Sequence, residues 1–332
     1  MRTLALFVVA ASLSAQSWIP QKSGTTASLR GIAAVSDQVA WASGAGGTYL
    51  ITTDGGSTWT AAQVPSAESL DFRDVHAIDA RTAWLMSSGP GAQSRIYHTQ
   101  DGGRSWKLQF TNPDAAGFFD AIAFWDARHG LVVGDPVPQD GKEAHFGLFT
   151  TDDGGEHWRQ TPSPAAISKE EGAFAASGTC LIVTGSRDAW FATGGARIFH
   201  SADGGATWKV AQTPIRHDSA SAGVFSLAMR DARRGVAVGG NYKQPGADLH
   251  NVAITSDGGR TWTEPGERPA GFRSAVVYVP SQRMWIAVGT SGSDLSRDGG
   301  ETWKPFDSAA YNAVAFPWAV GPKGAIARFA SK

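Results

Sequence analysis

Apolar positions along this chain fall in short alternating runs separated by turn residues. In the first complete unit Leu29–Val35 is apolar, Gln38–Ser43 follows with Trp41 at its centre, Tyr49–Thr52 comes next, and Thr58–Val64 ends the unit. Alternation over spans this short, broken by Gly, Asp and Ser, predicts antiparallel strands. No stretch sustains a 3.6-residue apolar period with caps at its ends, so helices are expected to be nearly absent.

A motif, [ST]-x-D-G-G-x-x-W, punctuates the pattern. Its copies begin at Thr52, Thr99, Thr151, Ser201, Thr255 and Ser296, and their aspartates Asp54, Asp101, Asp153, Asp203, Asp257 and Asp298 recur at a period near 50 residues. A fixed period of this length with four short strands per unit is the signature of a β-propeller blade. After the sixth copy, Tyr311–Phe316, Trp318–Gly321 and Gly324–Phe329 match three strands of another unit. The segment Ser17-Trp18-Ile19-Pro20-Gln21 matches the fourth strand of the second unit, Ser105-Trp106-Lys107-Leu108-Gln109. The expected fold is therefore all-β: a seven-bladed β-propeller of four-stranded antiparallel blades. The N-terminal strand completes the C-terminal blade and leaves no open sheet edge.

The motif itself reads as a folding device. Its aspartate can accept from turn amides, its glycines allow backbone angles closed to other residues, and Trp59, Trp106, Trp158, Trp208, Trp262 and Trp303 pack where blades meet. A calcium loop needs several oxygen ligands at alternating positions plus a distal acid, and a phosphate loop needs a following lysine; neither pattern is present. The eight histidines show no close ligand spacing. No metal and no cofactor are expected.

Composition refines the class of partner. A formal net charge of −1 gives no global case for nucleic acid. Met1–Ala15 carries one basic residue, an apolar run and small residues before Gln16, which reads as a secretory signal too short to span a bilayer. The expected organisation is a signal peptide over 1–15 and a single propeller domain over 16–332, exported to a periplasmic or extracellular space. Cys180 is the single cysteine, which excludes an intramolecular disulfide.

The D-G-G-x-x-W box is the Asp-box, or bacterial neuraminidase repeat. The fuller unit is also distinctive: Leu29-Arg30-Gly31-Ile32, Val39-Ala40-Trp41-Ala42-Ser43-Gly44 and Gly47–Trp59 run continuously into the box, and residues 122–134 repeat the form. Over essentially the whole chain after the signal, it resembles the photosystem II stability/assembly-factor-like propellers. That resemblance implies a non-enzymatic scaffold, expected to be a monomer, that binds a protein partner such as a membrane protein complex.

A binding site is expected at the rim opposite the boxes. Aligning the innermost strands gives Arg30, Arg73, Asp120, Ala175, Ser226, Arg273 and Asn312 as equivalent positions. Arg273, Asn312, Arg30 and Arg73 then form a basic arc over consecutive blades, continued by Asp120. Long loops bring Asp135, Asn241 and Tyr242 to the same rim, where recognition usually sits. The alternative is a sialidase-like glycoside hydrolase with a glycan ligand. In that reading Arg30, Arg73 and Arg273 clamp the substrate carboxylate, Tyr242 pairs with Glu170 or Glu171, and Asp120 or Asp135 is the acid.

Overall fold

The computed structural model describes residues 16–138, 143–164, 166 and 171–331. The expected signal segment over 1–15 lies outside them, as do Glu170 and part of the long loop after Asp135.

Seven antiparallel sheets follow one another around a ring. Blade one is Leu29–Ala34, Ala40–Gly44, Thr48–Thr52 and Thr60–Gln63, numbered from the channel outwards. Blade seven joins Ala313–Ala315, Trp318–Val320 and Ile326–Ser331 to the N-terminal strand Gln16–Pro20, with Trp18 opposite Phe329. The expected closure is thus formed. Trp18 is buried against Phe306, Tyr311 and Phe329, and its indole N–H donates to Ser293 Oγ at 3.0 Å. Helical structure among the described residues is confined to three single 3-10 turns.

Blade five departs from the expected pattern of four strands. Its sheet has three, Ala222–Met229, Gly235–Asn241 and Val252–Thr255, and the fourth is reduced to a bridge between Ile254 and Thr263. Continuing that register would set Val252 opposite Pro265, which has no amide hydrogen to donate, so the ladder stops.

The core is divided in the same way as the ring. Seven buried apolar clusters each span two adjacent blades; one joins Trp41 and Tyr49 of blade one to Phe72, Leu85 and Tyr97 of blade two. Trp41, Trp84, Trp190, Trp285 and Trp318, all on second strands, are the large wedges. Among the box tryptophans, Trp59, Trp262 and Trp303 are buried, while Trp106, Trp158 and Trp208 are partly buried against inter-blade clusters.

Within each box the aspartate and the Ser or Thr two residues before it bond locally. In the first, Thr52 Oγ1 donates to Asp54 Oδ1 at 2.9 Å and accepts from Gly56 N at 2.9 Å, while Asp54 accepts from Thr58 N and Thr58 Oγ1. In the third, His157 takes the place of that hydroxyl residue. These bonds hold the carboxylates of Asp101, Asp203 and Asp257 down to about 2. A second repeat, Asp-Ala-Arg at 79–81, 126–128 and 231–233, was missed in the sequence although its spacing is as regular. Its aspartate caps the turn between first and second strands, and Arg81, Arg128 and Arg233 donate to Gln100, Asp152 and Ser256 carbonyls beside the boxes.

Candidate functional site at the channel mouth

The boxes and the first turns share one rim, as the Gly55 N to Gln38 O bond of 3.0 Å shows. The starts of the first strands and the turns between second and third strands form the opposite rim. There, a pocket of about 470 Å³ opens at the mouth of the channel. Every blade contributes: Arg30 from one, Arg73 from two, Asp120 and Asp135 from three, residues 173–176 from four, Phe225 and Tyr242 from five, Phe272 and Ser274 from six and Asn312 from seven.

Strand register explains which side chains arrive. In blades one, two, three and five the first strand bulges, with register shifts at Leu29/Gly31, Phe72/Asp74, Phe119/Ala121 and Val224/Ser226. The extra residues are Arg30, Arg73, Asp120 and Phe225. A bulge leaves one residue out of the ladder and re-aims its side chain, here into the mouth. Ser226, expected at the mouth, instead sits one place further on; its Oγ accepts from Val276 N of blade six at 3.0 Å and meets Thr179 Oγ1 at 2.6 Å.

Blade six has no such bulge: Ala275 pairs with Val288 and the ladder runs on unbroken. Ser274 occupies the mouth position, and the expected arc loses Arg273. That guanidinium is turned into the blade, where its Nε donates to Asp294 Oδ2 at 2.5 Å and its Nη1 to the Phe272 carbonyl and Ser291 Oγ. Burial lowers its pKa, and the adjacent Asp294 opposes that.

In blade four the inner strand is Leu181–Thr184, so Ala175 precedes it. Residues Gly172–Thr179 form a strap across the channel. The Ala175 carbonyl accepts from Arg73 of blade two, Ser177 Oγ donates to the Ser274 carbonyl of blade six at 2.9 Å, and Phe174 stacks on Phe225 with ring centroids 3.7 Å apart. The strap is the floor of the pocket and had no sequence signal beyond a run of small residues.

The pocket is chemically divided. On blades one to three, Arg30 and Arg73 lie together. Arg73 Nε donates to Asp71 at 2.8 Å, whereas the buried Arg30 Nε has no partner among the described residues. Burial and then the neighbouring Arg73 charge lower the Arg30 pKa, with Asp71 opposing. Asp120 and Asp135 are in hydrogen-bond contact; burial and then the Asp135 charge raise Asp120 well above the usual range, and burial pushes Asp135 up to about 6. On blades four to six the wall is aromatic, with Phe174, Phe225 and Phe272 below and a half-exposed Tyr242 at the lip.

Other expected site residues fall elsewhere. Asn241 is buried, accepting from Lys243 N at 2.9 Å and donating to Ser219 Oγ, and it supports the Tyr242 loop without lining the pocket. Glu171 is buried in an ion pair with Arg197 and accepts from Thr193 Oγ1. The three-arginine clamp of a sialidase-like site is not formed, because Arg273 belongs to Asp294.

Comparison with known proteins gives the same architecture. YCF48 bound to a D1 peptide is 18% identical with a TM-score of 0.66, covering 97% of this chain and 99% of that one. YCF48 from Cyanidioschyzon merolae is 18% identical with a TM-score of 0.63, covering 95% and 99%. The WD40 β-propeller domain of Doa1 is 11% identical with a TM-score of 0.62, covering 97% and 98%. These likenesses are of fold. The sequence profile of the photosynthesis system II assembly factor YCF48 matches residues 9–113, a stretch that includes the closing strand and the first two blades. Over that stretch the chain is similar to the photosystem II assembly-factor propellers. No curated protein matches it. In this propeller Arg30 and Arg73 both fall inside the matched stretch, while the strap and the aromatic wall lie beyond it.

Proposed function

We propose that this propeller is an exported, non-enzymatic scaffold that binds a protein partner in an assembly or stability role, through the rim opposite its Asp-boxes. The observation that carries the reading is the mouth pocket, where seven blades converge a pair of arginines, one with an unpartnered buried Nε, beside an aromatic wall. Such a surface suits a polypeptide segment with an acidic group next to an apolar side chain. Similarity to the YCF48 family supports the partner being a protein, and a membrane protein complex is the kind expected.

Capture tests this. The purified chain should retain a partner from membrane extracts of its own source, and Arg30→Ala with Arg73→Ala should weaken retention at least tenfold while the fold persists. Arg104→Ala, on the box rim, should leave it unchanged. Equal retention by all three proteins would refute the rim assignment. Export predicts that the protein isolated from the extracytoplasmic fraction begins at or near Gln16.

A further inference from the structure

Two buried carboxyl oxygens at the floor of the mouth, Asp120 Oδ2 and Asp135 Oδ1, have no hydrogen-bond donor among the described residues. Their side chains nevertheless contact each other. Two ionised carboxylates have no proton to exchange and repel, so a single proton between these oxygens satisfies both. The pair also holds the strap. The backbone of Ala175 bonds to Asp120 and that of Ala173 to Asp135, while Gly172 passes so close to Asp135 Oδ1 that a Cβ has no room.

We infer that residues Gly172–Ala176 are a proton-latched floor: the proton shared by Asp120 and Asp135 keeps this half of the strap across the channel, and its loss releases it. Without the proton, two negative charges lie in contact, Asp120 buried and Asp135 partly buried at the pocket wall, and separation is their relief. Arg73, held by Asp71 and the Ala175 carbonyl, is the nearest cation and offsets part of the repulsion; Arg30 lies behind it. Cys180 and Asp74 face the pair from below, and His145 lies across the adjoining cleft that Asp135 also lines. The distal half is held by Ser177 to the Ser274 carbonyl, Thr179 Oγ1 to Ser226 Oγ, and Leu227 N to the Thr179 carbonyl, with Gly178 packed against the Asp74 carboxyl, whose own titration Asp74→Asn removes. It stays down and serves as the hinge. Release deepens the mouth pocket into the channel, so pocket shape becomes a function of pH whatever ligand it takes. Burial raises both carboxyls, Asp135 up to about 6 and Asp120 well above its usual range; Asp135 gives up its own proton first, and the latch opens as pH rises past the range of Asp120, where the shared proton is lost.

Hydrogen exchange read by mass spectrometry tests the latch on the whole chain carrying Asp74→Asn. Protection of peptides spanning 172–180, relative to the unfolded chain at each pH, should fall tenfold or more between pH 5 and pH 9. Protection of the second strand of blade one should not change. Asp120→Asn places an amide donor toward Asp135 where the proton was, and should make strap protection independent of pH. A flat profile in Asp74→Asn, or an equal fall once Asp120→Asn is added, overturns the inference. A second measurement needs no further substitution. Cys180, the single and buried cysteine beyond the strap, should react faster with a neutral thiol reagent over the same range, after division by the rate of the unfolded chain. A constant ratio also overturns it.

Discussion

Replacing Asp294 with alanine would leave the Arg273 guanidinium, 1% exposed, as an unpaired charge inside blade six. The side chain would lose its paired contacts to the carboxylate while keeping the Phe272 carbonyl at 2.7 Å and Ser291 Oγ at 2.8 Å. Those neutral acceptors satisfy hydrogens and leave the charge uncompensated. Breaking a fully buried pair from one side costs about 3–5 kcal/mol, and that range is expected for Asp294→Ala. Arg273→Ala should cost a similar amount, since Asp294 would then keep the Ala270 amide at 3.2 Å as its donor. The double substitution Arg273→Met with Asp294→Leu removes both charges and should recover much of either loss. Urea unfolding followed by tryptophan fluorescence would measure all three. Single substitutions that each cost under about 1 kcal/mol would show the pair to be solvated and refute the burial argument. Capture gives an independent check: Arg273 faces away from the mouth, so Arg273→Ala should retain partner as well as the unaltered chain wherever it is folded.

Two further outcomes follow from the same geometry. Trp18→Ala removes the aromatic wedge that seals blade seven and the Ser293 bond, so a loss near 3–5 kcal/mol and early proteolysis at the N-terminal strand are expected; a change under about 1 kcal/mol would mean that the ring closes without that strand. Stability should also carry pH-dependent contributions of opposite sign. Burial raises Asp74 from 3.8 to about 7, so the folded chain holds a proton the unfolded chain has released; this contribution is full below about pH 4 and is lost as pH rises through 7. The box aspartates have the opposite sign: their lowered values stabilise above about pH 4, and that stability is lost as pH falls toward 2. His76, lowered to about 4 by burial, adds stability over part of the same range but does so equally in both proteins, so the midpoint of Asp74→Asn relative to the unaltered chain should climb from pH 5 to pH 8, and a constant difference would refute the assignment.

Much of this protein was written locally enough to be read from its sequence. Blade number, strand order and the closure by Trp18 each depend on spacing and alternation, which a linear chain displays directly. Arg30, Arg73, Asp120 and Asn312 line the mouth because their blades keep a common register from the first apolar residue. Ser226 and Arg273 do not, because a single inserted or missing residue changes which side chain faces the channel and apolar pattern alone does not reveal a bulge, while Ala175 reaches the pocket from the strap ahead of its blade's first strand. Pro265 was visible, but its effect depended on knowing that Val252 would be its partner. Tertiary structure decided the rest, since it concerns groups that are distant in sequence or need the ring to meet. Asp294 claims Arg273, the strap crosses to blades two and six, and Asp120 and Asp135 meet where a buried proton has value. A repeat specifies its blades one at a time; the centre, where all seven face one another, is specified only when the ring has closed.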